Sequence, residues 1–518
     1  MRIFFPVWGG TGGSSSSTST RGRDRSGPSP RDGRASALSD PLVMSLRSRW
    51  PRRAGGATRP AGDSALAPIM HRPMPRALRT RVAAAPRKEI LDRFAGLERL
   101  PLPFLLETAG AAPGRVLMGA SPFAVLEARQ GRVRLWSRGA ASEVELPPLE
   151  ALRRLLLDCA ARGHREALLV GFFGYDLAWE LERLPPQRAV RDQDFPDLLF
   201  AAYDRWIRWI PVERRFVEVR AGRPQPPALD RSGEMAAFGG PPPALPERNF
   251  DRRRYLAAVE EVRRLIARGE IYQANLSQRF AARWDAPPLE LYRRLRAVSP
   301  APYAAYLRFG ERAVISSSPE LFLEVRGSSV RTRPIKGTRP RGHTSEEDAR
   351  LQRELLGSAK DAAELTMIVD LERNDLGRVC EPGSVRVTRL RELEKHPHVL
   401  HLVATVEGRL ARGRDALDLV EAAFPGGSVT GAPKLRAMAV LDELEPTRRA
   451  LFTGAIGYLT PAGEMVTSIA IRTILWQGGV ATFQVGGGIV WDSRPEAEYE
   501  ETLVKSRGMA AALGLELR

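Results

Sequence analysis

Two parts of the chain each carry four short apolar runs in succession, with only turn residues between them: 303–309, 312–316, 321–325 and 330–333, then 455–459, 465–470, 472–476 and 481–485. Connections this short leave no room for the helical crossover that parallel neighbours need, so the runs predict antiparallel strands. Helical spacing lies outside these blocks. In 253–268 Tyr255, Val259, Val262 and Ile266 fall on one face, and 149–162, 289–297, 346–369, 416–424, 432–443 and 495–513 also read as helices. Strands grouped in this way predict an α+β fold of large antiparallel or mixed sheets layered with helices, rather than an alternating βαβ chain.

Composition divides the 518 residues unevenly. Residues 1–85 hold fifteen arginines, no lysine and four aspartates, a net +11 of the chain's +18. This Ser-, Arg- and Gly-rich tail reads as disordered and outside the fold, either a transit-like segment or sequence upstream of a later start at Met44, Met70 or Met74. The remaining +7 does not call for nucleic acid as a partner. A sheet-rich unit is expected at 86–221, including a buried strand over 167–175. A proline-rich linker follows at 222–249, then a second unit at 250–518. Two cysteines, Cys159 and Cys380, exclude a disulfide scaffold and fit a cytoplasmic protein, and no apolar run is long enough to span a membrane.

Chemistry concentrates in the second unit. RPIKGTRPRG at 333–342 sets Lys336 and Thr338 among two prolines and two glycines, and is expected to be a stiff basic turn at the end of a sheet. Asp361 and Glu364 lie three apart on one expected helix. Glu498 and Glu501 do the same on another, with Lys505 one turn on. Two such carboxylate pairs suit a hard divalent cation such as Mg2+, and no His/Cys cluster suits zinc. FPGGSVTGAPK at 424–434, which includes Ser428, and VGGGIV at 485–490, with Gly486, Gly487 and Gly488, let backbone amides approach an anion. Arg472 can clamp a carboxylate. Glu320 in SSSPE is a candidate general acid if burial raises its pKa, and His401 is either a ligand-facing or a satisfied core histidine.

Taken in order, IYQANLSQRF, SSSPELFL, PIKGTRPRG, ELTMIVDLERNDLGRV, FPGGSVTGAPK, GAIGYL, VGGGIVWDS and EYEETLVK resemble the chorismate-utilising enzymes, strongly over 250–514 and weakly over 90–245. Within that family, Gln273 stands where water-activating members have lysine. Lys336 in PIKGT resembles the aminodeoxychorismate synthase component I branch, whereas anthranilate synthases usually carry alanine there. Ser428 stands where threonine is frequent, and Phe452 where tyrosine or tryptophan is common.

The resemblance implies a division of roles. Glu364 and Glu501, supported by Glu498 and Asp361, would ligate Mg2+. Arg472, the amides of Gly486–Gly488, Lys505, His401, Ser428 and Thr338 would bind chorismate. Lys336 would be the nucleophile and Glu320 the acid. It further implies ammonia delivered by a separate glutamine amidotransferase subunit, and a tryptophan pocket near LLET at 105–108. Anthranilate synthase component I, or a regulator that binds chorismate or tryptophan without turnover, remain the alternatives.

Overall fold

The computed structural model describes residues 87–517, apart from 109–113, 212, 227, 229–247 and 397–398. The expected tail at 1–85 lies outside the described residues, as does most of the proline-rich stretch. Among the described residues the fold is built on two large antiparallel sheets. Across the ten-stranded sheet the order is Gly431–Ala432, Gln273–Arg283, Val480–Ile489, Thr473–Gln477, Arg312–Ser318, Tyr303–Phe309, Phe104–Glu107, Val116–Gly119, Arg205–Ile210 and Arg215–Arg220. The twelve-stranded sheet runs Ile335–Pro340, Val399–Arg409, Ser329–Arg333, Leu321–Arg326, Met465–Ile469, Ala455–Leu459, Leu168–Phe173, Leu198–Tyr203, Ala124–Arg129, Arg132–Ser137 and Ala140–Val144. Arg386–Lys395 adds to Val399–Arg409. Strands from both expected units therefore share both sheets: Phe104–Glu107 pairs with Tyr303–Phe309, and Leu168–Phe173 with Ala455–Leu459.

The sheets meet face to face, and helices cover their other faces. Phe104 packs on Tyr203 at a ring separation of 4.6 Å, and Phe172 on Phe309 at 5.9 Å. On the helix side Leu169 and Phe173 join a core with Pro148–Ala161, Ser345–Gly357, Ala359–Gly377 and Ala416–Ala423. Burial on both faces explains why 168–173 is apolar without alternation. Gly171 is required there, because a Cβ would lie 1.8 Å from the Leu199 carbonyl oxygen. The ten-stranded sheet packs on Arg87–Leu97, Pro288–Val298 and Pro495–Leu513, and on Arg252–Ala267 and Lys434–Leu444. No described helix is long and apolar enough to cross a membrane.

Two local expectations are corrected. Residues 335–340 are a strand and not an irregular turn. Its prolines sit at or beyond its ends, and Gly337, at φ 75°, opens a bulge between Lys336 and Thr338. The single helix expected at 346–369 is two, Ser345–Gly357 and Ala359–Gly377. Ser358 takes an extended conformation between them, and its hydroxyl accepts from the Asp361 amide.

Candidate active site

The bulge at Gly337 begins the site. A Cβ at that position would come within 2.8 Å of Leu355 and 3.0 Å of Asp361, so glycine lets the start of helix Ala359–Gly377 lie directly on the strand that carries Lys336. Arg339, on the same strand, pins the helix by donating to Asp361 Oδ2 at 3.3 Å. Glu364, one turn further on, then faces Lys336 closely enough for each to alter the other's protonation. From the opposite side the turn Gly427–Val429 supplies the Ser428 carbonyl, which accepts from Lys336 Nζ at 3.0 Å.

Lys336 and Glu320 shift in opposite directions. Burial is the main cause of a lowered Lys336 pKa, and it outweighs the attraction of Glu364, Glu320 and Glu501. Burial likewise raises the Glu320 carboxyl, against the pull of the Ser428 hydroxyl, the Lys336 charge and the Ile335 amide, which lies 3.4 Å from Oε1. Burial thus moves both groups toward their neutral forms, the lysine downward and the glutamate upward.

The second pair of carboxylates comes from helix Pro495–Leu513. Strand Val480–Ile489 brings its glycines beneath this helix, paired through Leu276↔Gly487 and Asn275↔Gly488. A Cβ at Gly487 would sit 3.3 Å from Glu498, 3.7 Å from Glu501 and 3.9 Å from Lys505, so the backbone is exposed to all three groups. Glu498 is buried and accepts from Ser493 Oγ at 2.6 Å; burial raises its pKa. Burial also pushes Glu501 up, but Lys505 at 2.7 Å, Lys360 and Lys336 outweigh it and hold the carboxyl low. Lys505 also donates to the Gly486 carbonyl at 2.9 Å.

Among the described residues no three His, Cys, Asp or Glu side chains converge closely enough to hold a metal ion. The donor set nevertheless fits Mg2+. Glu364 and Glu501 offer carboxylate oxygens from two helices, the donor type a hard divalent cation takes, with Lys360 3.9 Å from Glu364 and Lys505 2.7 Å from Glu501.

A third group completes the site. Thr338 pairs with His401 across the strands, and its hydroxyl lies 3.0 Å from His401 Nδ1. His401 Nε2 is buried without a partner. Burial, then Arg472 and His396, lower the imidazole pKa to about 3, so the ring is neutral. No described carboxylate pairs with the Arg472 guanidinium, whose pKa burial lowers. A partly buried guanidinium beside a neutral imidazole has the donor chemistry that a carboxylate needs.

The structure thus gathers the sequence-derived residues into three adjoining groups: Lys336, Glu320 and Ser428; Glu364, Glu498, Glu501, Lys505 and Gly486–Gly488; and His401, Thr338 and Arg472. Asp361 belongs with them through Arg339. Sequence reasoning missed the buried charges behind the site. Glu372 accepts from Thr332 Oγ1 at 3.0 Å, and Lys434 Nζ lies 2.8 Å from Asp375 Oδ2. The three-residue spacing of Glu372 and Asp375 was the available signal. Gln273 is also notable, being fully buried with both amide atoms unpartnered next to Gly488.

A family model described as chorismate binding enzyme matches residues 103–511. The chain is 45% identical over 340 residues to aminodeoxychorismate synthase component 1 of Klebsiella aerogenes, covering 65% of this chain and 75% of that one. It is 42% identical over 370 residues to anthranilate synthase component 1 of Streptomyces coelicolor, covering 67% and 72%. A crystal structure of anthranilate synthase component I from Streptococcus pneumoniae superposes with a TM-score of 0.62 at 29% identity, over 79% of this chain and 92% of that one.

Proposed function

The chain belongs to the chorismate-binding enzymes, and on that premise we propose that it is an aminodeoxychorismate synthase component I, which converts chorismate and ammonia to 4-amino-4-deoxychorismate. The observation that carries the reading is a lysine and a buried glutamate in one pocket, Lys336 Nζ held 3.0 Å from the Ser428 carbonyl and Glu320 beside the Ile335 amide, with burial shifting each toward its neutral form. In this reading the Lys336 amine attacks C2 of chorismate, and the C4 hydroxyl takes the Glu320 proton and leaves as water. Ammonia then adds at C4, the C2–nitrogen bond breaks to release the lysine, and the proton shed by the incoming nitrogen returns to Glu320. Arg472, His401 with Thr338, Lys505, Ser428 and the Gly486–Gly488 amides hold the substrate.

Mg2+ would be held by Glu364 and Glu501 with Glu498 and Asp361 in support, and would supply positive charge for a substrate carboxylate. Ammonia would come from a separate glutamine amidotransferase, in keeping with the "component 1" of the relatives' names. The two free, buried cysteines fit a reducing cytoplasm. Tryptophan would bind beside 105–108, where Glu107 is already held by Tyr292 at 2.5 Å and by Arg296.

The test is product identification. Protein from Met74 onward is incubated with chorismate, Mg2+ and ammonium at mildly alkaline pH, beside Lys336→Ala, and products are identified by mass spectrometry. Aminodeoxychorismate that retains its enolpyruvyl group, reduced at least 100-fold in Lys336→Ala, is the expected result. Anthranilate with pyruvate would move the protein to the other branch. A second arm follows the thermal midpoint, which should rise with millimolar Mg2+ in the wild type and not in Glu364→Gln/Glu501→Gln.

A further inference from the structure

Lys434 lies outside the three groups of the site, at the foot of the loop that forms one of their walls. Its side chain is only 11% exposed, and its ammonium reaches two acceptors at 2.8 Å, Asp375 Oδ2 and the Ala423 carbonyl. Ala423 ends helix Ala416–Ala423 and Lys434 begins helix Lys434–Leu444, so this one cation staples together the two ends of loop 424–433. The third point of attachment, Asp375, belongs to the helix that carries Asp361 and Glu364. Midway along the loop a Cβ at Gly427 would lie 2.6 Å from Leu371 of that helix, and the next residue presents the carbonyl that receives Lys336.

We propose that Lys434 is a positioning residue for the reaction: its bridge from Asp375 to the Ala423 carbonyl fixes loop 424–433, and through the Ser428 carbonyl it sets where the Lys336 amine stands. The bridge touches neither substrate nor reacting atoms. Because one helix carries both Asp375 and Glu364, it keeps the amine in register with the carboxylates across the pocket. The inference rests on the proposed role of Lys336, but the geometry of the clamp does not.

The experiment compares wild type, Lys434→Met and the double variant Asp375→Asn/Lys434→Met. The double variant removes both charges of the pair together and is the one expected to keep the fold. Chorismate consumption is followed whatever the product, together with hydrogen–deuterium exchange of the peptides covering 424–433. The expected result for the double variant is a kcat at least tenfold lower with KM within threefold. Exchange should be faster in 424–433 and unchanged in the strands of the ten-stranded sheet. Wild-type exchange in the loop, or kcat within twofold of wild type, would overturn the clamp. The exchange arm decides it even if Lys336→Ala turns out to be active, so the two readings fail separately.

Discussion

At the scale of the single residue, His401 ties the site to stability. Its folded pKa of about 3 lies below the usual histidine value of 6.5, so between these limits the unfolded chain binds the extra proton. The contribution of this residue is therefore complete above pH 6.5 and is lost as pH falls, at about 1.4 kcal/mol per unit. We expect urea unfolding to show this loss between pH 6.5 and 4.5, and His401→Gln to flatten it; equal slopes in the two proteins would contradict the assignment. That the candidate side chains would gather was legible where side-chain type and a rigid motif coincide, as at Lys336, Glu320 and the two carboxylate pairs. Partners far along the chain were not: nothing near Arg339 points to Asp361, and nothing near Lys434 points to Asp375, because such pairs exist only once the helix lies on the strand.

Among elements, the informative failure was 335–340. Prolines and glycines normally argue against a strand, but here the prolines fall where no ladder bond is needed and the glycine makes the bulge. Local propensity was overruled by pairing with Val399–Arg409, whose central residues are almost wholly buried. The break at Ser358 was equally hidden, because apolar spacing continues across it. Its cap makes a prediction. Ser358→Ala removes the acceptor for the Asp361 amide and should cost about 1 kcal/mol. It should also loosen the first turn of Ala359–Gly377, so that the apparent affinity for Mg2+ falls while Ser358→Asp retains it. Unchanged Mg2+ titration of the alanine variant would show that this turn does not shape the site.

For the whole molecule, the grouped strands correctly implied large antiparallel or mixed sheets layered with helices; that there are two, both antiparallel, is seen only in the fold. They could not imply that strands from 104–220 and 273–489 would be interleaved, since strand order is decided by long-range pairing. Buried contacts reinforce the mixture: Arg296 pairs with Glu107, and Arg449 lies over the Tyr175 ring at 4.8 Å, each joining distant parts of the chain. Expression of the chain as two pieces cut within 229–247 should therefore give insoluble protein from either piece alone and chorismate turnover only when both are produced together. A soluble, cooperatively melting fragment 250–518 would refute this.

Interleaving also has a consequence during synthesis. Val480–Ile489 inserts between Gln273–Arg283 and Thr473–Gln477, yet it leaves the ribosome after all the other described strands. Until then Gln273–Arg283 presents an open edge to the cell, and Phe104–Glu107, paired early with Val116–Gly119, must wait about two hundred residues for its second neighbour. The nascent chain is thus committed to a long period as an unfinished sheet, and its yield in a living cell should depend on holdase chaperones and translation speed more than on the stability of the finished enzyme.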